Sequence, residues 1–259
     1  MIKPILLTLS QDIEQIRLYP IADPHLGDIN CNYPKLKATL ETIQNDPNGY
    51  VILAGDLLNN ATKASVSDIY SEKLSPMEQI NRCVDTFRPI KDKVVCVATG
   101  NHEERTYRQD GIDITRLVSR ELGFEDKYRE DFSLLFLRFG SNNKHEKGRM
   151  MSYSVYVNHG NGGGRKIGGK ANRLNDLAMV CDADVFIVGH THTPMIFKDS
   201  FIRTTPGANS AEIVERTYIN TTAWLDYGGY GARQAYTPSA VSCPVITLDG
   251  RKKQVSVSI

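Results

Sequence analysis

The chain has 259 residues, 41% of them hydrophobic and 24% charged, with a formal net charge of +1 at neutral pH. This is the balance of a globular protein, not of a disordered or fibrous one. It leaves no global field to draw the molecule to nucleic acid or to a membrane surface, so any such preference needs a local patch.

No apolar stretch is long enough to span a bilayer. The run at residues 5–9 is short, is followed by Asp12 and Glu14, and lacks the basic start and cleavage site of a signal peptide. Five cysteines (Cys31, Cys83, Cys96, Cys181 and Cys243) are odd in number and widely spaced. They form no metal-type pair and no disulfide framework, which reads as reduced thiols in a cytoplasmic protein. No repeat or low-complexity linker divides the chain, so residues 1–259 read as a single domain.

Short apolar runs alternate with helical patterns, the mark of an α/β layered fold. Residues 16–22 read as a strand, 35–44 as a helix and 50–54 as a strand of small and β-branched residues. Ser75-Pro76-Met77-Glu78 has the form of a capping box with Pro at the first helical position. The helix it opens should run to about Arg88, since Pro89 discourages continuation. Residues 94–98 predict a strand, and 113–122 a helix stopped by Gly123. Residues 133–139 and 151–157 alternate around the polar segment 140–148, a hairpin whose long loop carries an exposed, inert His145. Residues 170–181 predict a helix and 185–188 a short buried strand. Beyond His192 the pattern is strand-rich, at 196–205, 218–226 and 245–259, and should complete a second sheet.

What ends each strand is more telling. The chain runs from apolar segments into Asp23-Pro24-His25, Gly55-Asp56, Gly100-Asn101-His102-Glu103, Asn158-His159-Gly160 and Gly189-His190-Thr191-His192. In α/β sheets the carboxyl ends of strands converge on one edge, where ligands bind. Five of the six histidines sit at these ends. One Gly-Asp is an ordinary turn and one His an ordinary polar residue, but five coincidences are hard to assign to turns. Carboxylate, carboxamide and imidazole without thiolate suit divalent ions such as manganese, iron, zinc or nickel, with manganese the first choice. Seven candidates (Asp23, His25, Asp56, Asn101, His159, His190 and His192) exceed one tetrahedral site and suit two cations sharing a bridging carboxylate.

The ordered set Asp23-x-His25, Gly55-Asp56, Gly100-Asn101-His102-Glu103, His159 and Gly189-His190-x-His192 resembles the motifs of the calcineurin-like metallophosphoesterase superfamily. The resemblance implies an α/β fold, a four-layer αββα sandwich with two mixed β-sheets. It implies two divalent metal ions, one held by Asp23, His25 and His192, the other by Asn101, His159 and His190, with Asp56 bridging. It gives catalytic parts to Asp56, Asn101 and His102. His102 would not be a ligand but would stand near the leaving group as proton donor or transition-state stabiliser. A hydroxide spanning the metals would attack phosphorus in line. Protein phosphatases of the superfamily carry Asp and Arg soon after Gly-Asp, whereas Leu57-Leu58-Asn59-Asn60 follows here, so that clamp is missing. The stretch from Asn220 to Gly231 looks like the closing region of small bacterial and phage-encoded members.

One loop invites a rival reading. Gly164 to Lys170 fits the first seven positions of a phosphate-binding P-loop, between a strand and a helix, which would suit an NTPase. Ala171 then stands where the magnesium-binding hydroxyl belongs, and the loop begins at His159. A better use is substrate binding: glycines let backbone approach a phosphate, and Arg165, Lys166, Lys170 and Arg173 neutralise it. Trp224, Tyr227 and Tyr230 suit base stacking, though core packing explains them more simply. Arg105 and Arg108 follow the Asn101-His102 turn and face either the cleft or solvent. The expected protein is a phosphodiesterase or nuclease acting on a nucleotide or single-stranded nucleic acid. Its alternatives are a phosphomonoesterase or protein phosphatase on the same site, the NTPase, or an inactive scaffold.

Overall fold

The computed structural model describes residues 2–63, 65, 69–140 and 150–259. In chain order the strands are β1 (Ile5–Thr8), β2 (Gln15–Ile21), β3 (Gly49–Ala54), β4 (Val94–Ala98), β5 (Tyr128–Arg129), β6 (Ser133–Arg138), β7 (Ser152–Val157), β8 (Val185–Val188), β9 (Met195–Thr205), β10 (Ser210–Asn220), β11 (Val245–Asp249) and β12 (Val255–Ser258). The helices are α1 (Tyr33–Asn45), α2 (Pro76–Phe87), α3 (Asn101–Asp110), α4 (Ile114–Glu121), α5 (Ile167–Asp176) and α6 (Gly229–Arg233). Two mixed sheets of six strands result, in the orders β12-β11-β2-β3-β4-β5 and β1-β6-β7-β8-β10-β9.

Burial explains the layering. β2, β3 and β4 run parallel, and parallel strands covered on both faces read as near-continuous apolar runs. Ile16, Leu18, Ile52, Ala54, Cys96 and Ala98 turn toward the facing sheet, which answers with Leu135, Leu137, Val155, Val157, Val185 and Ile187. Tyr19, Ile21, Val51, Leu53, Val94 and Val97 turn the other way and pack with Leu36, Leu40, Val84, Phe87 and Val118 of α1, α2 and α4. The second sheet's outer face holds Tyr156, Phe186 and Tyr218 against Leu174 of α5. Helix, sheet, sheet, helix is the expected αββα sandwich. Burying each such large apolar side chain is worth roughly 1.5–3 kcal/mol against leaving it in water.

The capping box at Ser75 and Glu78 is present, and α2 ends at Phe87 before a 3-10 turn from Arg88 to Lys93. Gly123 has φ +82° just past α4, as a helix stop requires. Three expectations need correcting. The last third does not complete one sheet: β9 and β10 extend the second sheet beside β8, while β11 and β12 form the antiparallel edge of the first beside β2. The strand expected at 218–226 is instead β10, which ends at Asn220, because residues 221–224 turn inward and lie buried beside Asp23. The helix expected at 170–181 begins earlier, at Ile167, with Gly168 and Gly169 inside it, and gives way to a 3-10 turn at Leu177. The hairpin of β6 and β7 is antiparallel as expected, while residues 141–149 of its loop, His145 included, lie outside the described residues. No helix among the described residues is long and apolar enough to cross a membrane.

Candidate metal centre

The parallel strands of both sheets end at one edge. β2 leads to Asp23 and His25, β3 to Asp56, and β4 to Asn101 and His102 at the start of α3. From the second sheet, β7 leads to His159, and β8 to His190 and His192. Asp23, His25, Asp56, His190 and His192 all have positive φ, between 46° and 64°. Left-handed backbone is uncommon outside glycine, and it collects where a fold holds side chains against local preference. Gly100 shows why small residues flank them: a Cβ there would collide with the Asp56 backbone and carboxylate.

The seven expected ligands meet. His192 Nε2 lies 3.1 Å from Asp23 Oδ1 and 3.2 Å from His25 Nε2. His159 Nε2 lies 3.1 Å from Asp56 Oδ2 and 3.2 Å from Asn101 Oδ1. His190 Nδ1 is 2.7 Å from the same Asn101 oxygen. Asp56 Oδ2 stands between the two groups, 4.0 Å from His25 Nε2 and 3.6 Å from His102 Nε2. Two sets of possible ligand atoms, Asp23-His25-His192 and Asp56-His159-His190, each lie within 4.8 Å of one another, and His25-Asp56-His102 links them.

Charge states favour cations here. Burial opposes ionisation of Asp23, but His192, His25 and His159 hold its carboxyl well below the usual range. Asp56 is likewise held low, against burial, by His159, His102 and His25. His159 is pushed down by burial yet raised to about 10 by Asp56 and Asp23, so the pocket draws positive charge onto an imidazole. A divalent cation meets that demand without a proton. The donor set of oxygen and imidazole nitrogen completes the fit.

The supports are partly unforeseen. Glu103, 2% exposed, accepts from the backbone N–H groups of Leu58 at 2.9 Å and of Asp56 and Gly100 at 3.1 Å. It thereby ties the β3 loop to α3, and burial with the nearby Asp56 raises it to about 7. Its sequence signals are its place in the Gly100-Asn101-His102-Glu103 motif and the capping-box spacing of three residues after Gly100. The His159 Nδ1 atom lies 2.8 Å from the Ala54 carbonyl, and His102 Nδ1 lies 2.6 Å from the Asn59 carbonyl. Each contact fixes the proton on Nδ1 and turns Nε2 toward the cluster. Burial pushes His102 down to about 3, against the pull of Asp56.

The basic loop behaves differently from expectation. Lys170 Nζ donates to the Thr191 carbonyl at 3.0 Å and to Thr193 Oγ1 at 2.5 Å, so its ammonium braces the His190–His192 turn. Two of its three N–H donors are engaged there. Arg173 Nη1 donates to the Gly163 carbonyl at 2.8 Å. The Arg165 guanidinium lies 5.6 Å above the Tyr236 ring, and Lys166 is exposed at the N-cap of α5. Trp224 is core, 1% exposed, while Tyr227 and Tyr230 are exposed. A cavity of about 410 Å³ beside the cluster is lined by Asn101, Glu104, Arg105, Arg108, residues 160–162 and His190.

No curated protein matches the chain. Among solved structures it is similar to calcineurin-like phosphoesterase YfkN from Bacillus subtilis, with 14% identity, TM-score 0.43, and 94% of this chain and 90% of that one covered. It is similar to a metallophosphoesterase from Sphaerobacter thermophilus, with 13% identity, TM-score 0.41, and 93% and 87% covered. It is also similar to GAP50, the anchor in the inner membrane complex of Plasmodium, with 10% identity, TM-score 0.48, and 95% and 84% covered. The model of one family, calcineurin-like phosphoesterase, matches residues 21–194, more than half of the chain. That span starts at the end of β2 and closes just past His192, so it takes in every strand end described above: the chain belongs to the calcineurin-like phosphoesterase family and is a hydrolase of phosphoric esters.

Proposed function

We propose that the chain is a phosphodiesterase acting on nucleotides or single-stranded nucleic acid with two divalent cations. Asp23, His25 and His192 would hold one cation, Asn101, His159 and His190 the other, and Asp56 would bridge them. The observation that carries this reading is the position of Asp56 Oδ2, 3.1 Å from His159 Nε2 and 4.0 Å from His25 Nε2. Manganese is the first choice, with iron, zinc or nickel as alternatives, because the donors are oxygen and imidazole without sulfur.

When bound, the cations supply Lewis acidity toward the phosphoryl oxygens and acidify water for attack on phosphorus. The chain's own residues do the rest. His102, its Nδ1–H held by the Asn59 carbonyl, turns an unprotonated Nε2 toward the cluster, where it takes up the proton released by the attacking water and hands it to the leaving ester oxygen. Asp56 Oδ1 accepts from the His102 backbone N–H at 2.8 Å, which keeps that imidazole in register with the cluster. The cavity of about 410 Å³ beside Asn101 and His190 offers room for a group esterified to the phosphate.

Manganese titration of chelator-treated protein tests the metals, and two aryl esters test the reaction. Binding to the folded state alone should raise stability by about 2.7 kcal/mol at a hundredfold excess over Kd. The expected stoichiometry is two ions per chain, with bis(4-nitrophenyl) phosphate turned over faster than 4-nitrophenyl phosphate. Preference for the mono-aryl ester would favour the phosphomonoesterase alternative. Failure to bind any of the four metals would sink the reading.

A further inference from the structure

A guanidinium carries a permanent charge and five donors, so drawing it out of water is costly unless an acceptor answers it. Helix α3 carries two arginines at the cavity, and they are treated differently. Arg108 is exposed and engages Glu104 Oε1 through Nε at 3.0 Å and Nη2 at 2.7 Å. Arg105 is half-buried. Its one hydrogen bond among the described residues is a long 3.4 Å contact from Nη1 to the Asn59 carbonyl. That oxygen is already 2.6 Å from His102 Nδ1. No carboxylate among the described residues pairs with Arg105, and the neighbouring Glu104 is taken by Arg108.

Its place is equally specific. Arg105 follows His102 by three residues, which puts both on one face of α3. It lines the cavity together with Asn101 and His190, from the cluster's rim. Of the other expected cations, Lys170 donates to Thr191 and Thr193, Arg173 donates to the Gly163 carbonyl and Arg165 lies over Tyr236, while Lys166 is exposed at the start of α5.

We propose that Arg105 binds a non-bridging oxygen of the substrate phosphate, from the α3 side of the cluster. The inference rests on the phosphoesterase reading above. The oxyanion supplies the charge-assisted acceptor that the folded chain withholds, and the planar fork of donors matches two phosphate oxygens. Any phosphate ester presents those oxygens, so Arg105 sets affinity for the phosphoryl group and leaves the choice of ester to the rest of the cavity.

The test compares wild type, Arg105→Ala and Arg105→Lys, each loaded with manganese. Inorganic phosphate serves as the probe, read both as a competitive inhibitor of bis(4-nitrophenyl) phosphate hydrolysis and by calorimetry. Arg105→Ala should weaken phosphate binding by roughly 10–100-fold and raise KM, at wild-type manganese content, on the scale of one lost charge-assisted contact. Arg105→Lys keeps the charge but not the fork and should recover part of the loss. Phosphate affinity equal to wild type in both variants overturns the proposal. If Arg105→Ala does not fold, Arg105→Lys decides alone: a several-fold loss of phosphate affinity supports the proposal, and wild-type affinity overturns it. A wild type that hydrolyses neither aryl ester would instead refute the phosphoesterase reading, and calorimetry with phosphate would still judge Arg105.

Discussion

The two sheets contribute unequal halves to the candidate metal centre. The first sheet's half, with Asp23, His25, Asp56, Asn101 and His102, is stitched together by backbone. Asp23 N–H donates to the Gly55 carbonyl at 3.0 Å, His25 N–H to Asp56 at 3.1 Å and Leu26 N–H to Leu57 at 2.9 Å. Buried Glu103 closes that half from beneath. The second sheet's half, with His159, His190 and His192, is looser at its edge. Its His190–His192 turn is braced by Lys170 from a helix in which only Leu174 is buried, and residues 161–169 before that brace are exposed. Local stability follows burial and backbone pairing. The carboxylates therefore sit on the rigid side, where geometry toward a cation must hold, and part of the imidazole set sits where the cleft opens.

The largest expected effect comes from removing the brace of the rigid half. Glu103→Ala leaves three backbone N–H groups without their acceptor in a buried place. Stability should fall by roughly 3 kcal/mol, a Tm drop of about 6–12 °C for a chain of this size. Metal affinity should fall ~10–100-fold, since residues that orient ligands matter on that scale. Thermal melts and elemental analysis of dialysed protein measure both. A variant with wild-type Tm and metal content would show that Glu103 is not what holds this half.

The corresponding change in the looser half should separate activity from stability. Lys170→Ala removes the contacts to Thr191 and Thr193. We expect kcat/KM to fall about tenfold, with stability changed by less than about 1 kcal/mol, because the lost side chain is only partly buried. If Lys170→Ala melts as early as Glu103→Ala, the two halves are equally rigid and the contrast fails. The same variant checks the P-loop alternative, which requires ATP turnover that disappears with this lysine.

The same contrast sets what was legible in the sequence. The chemistry of the rigid half was readable because Asp23, His25, Asp56, Asn101 and His102 follow apolar strands directly, and strand ends converge. His159, His190 and His192 were readable for the same reason. Helix α3 was not, because Asn101–Asp110 is polar throughout and has no apolar face to give a 3.6-residue period. Glu103 was visible as a letter in a motif, but its three backbone partners depend on β3 and β4 lying side by side. The left-handed backbone at five of the candidate ligands is a tertiary outcome that residue type does not encode. The part Lys170 plays beside Thr191 and Thr193 was not readable, because Gly168 and Gly169 argue for a loop. They are helical instead, and the ammonium lands on Thr191. The strands after His192 were recognisable as strands, but which sheet each joins depends on pairings that period-2 patterning cannot specify.

The smallest effect sharpens the comparison from the opposite end of the first sheet. There Asp46, at the end of α1, accepts from Arg17 through Nε at 2.5 Å and through Nη2, from Tyr19 OH at 2.8 Å and from Asn48 N–H at 3.0 Å. The Arg17 hydrogen bonds, with Tyr19 and Asn48, hold its carboxyl at about 2, against the opposing effect of burial. Its unfolded value is near 3.9. A carboxylate depressed in the folded state contributes stability that is complete above the unfolded value and is lost as pH falls toward the folded one. Asp46→Asn should therefore cost ~1–2 kcal/mol near neutral pH, discounted because the Arg17 side chain is 32% exposed. The gap to wild type should shrink between about pH 4 and pH 2, read from urea melts across that range. Activity at neutral pH should match wild type, because Asp46 sits beside the amino ends of β2 and β3, at the opposite end of the strands from Asp23 and Asp56. A fall in kcat/KM beyond the unfolded fraction would mean that the rigidity assigned to Glu103 extends along the whole sheet.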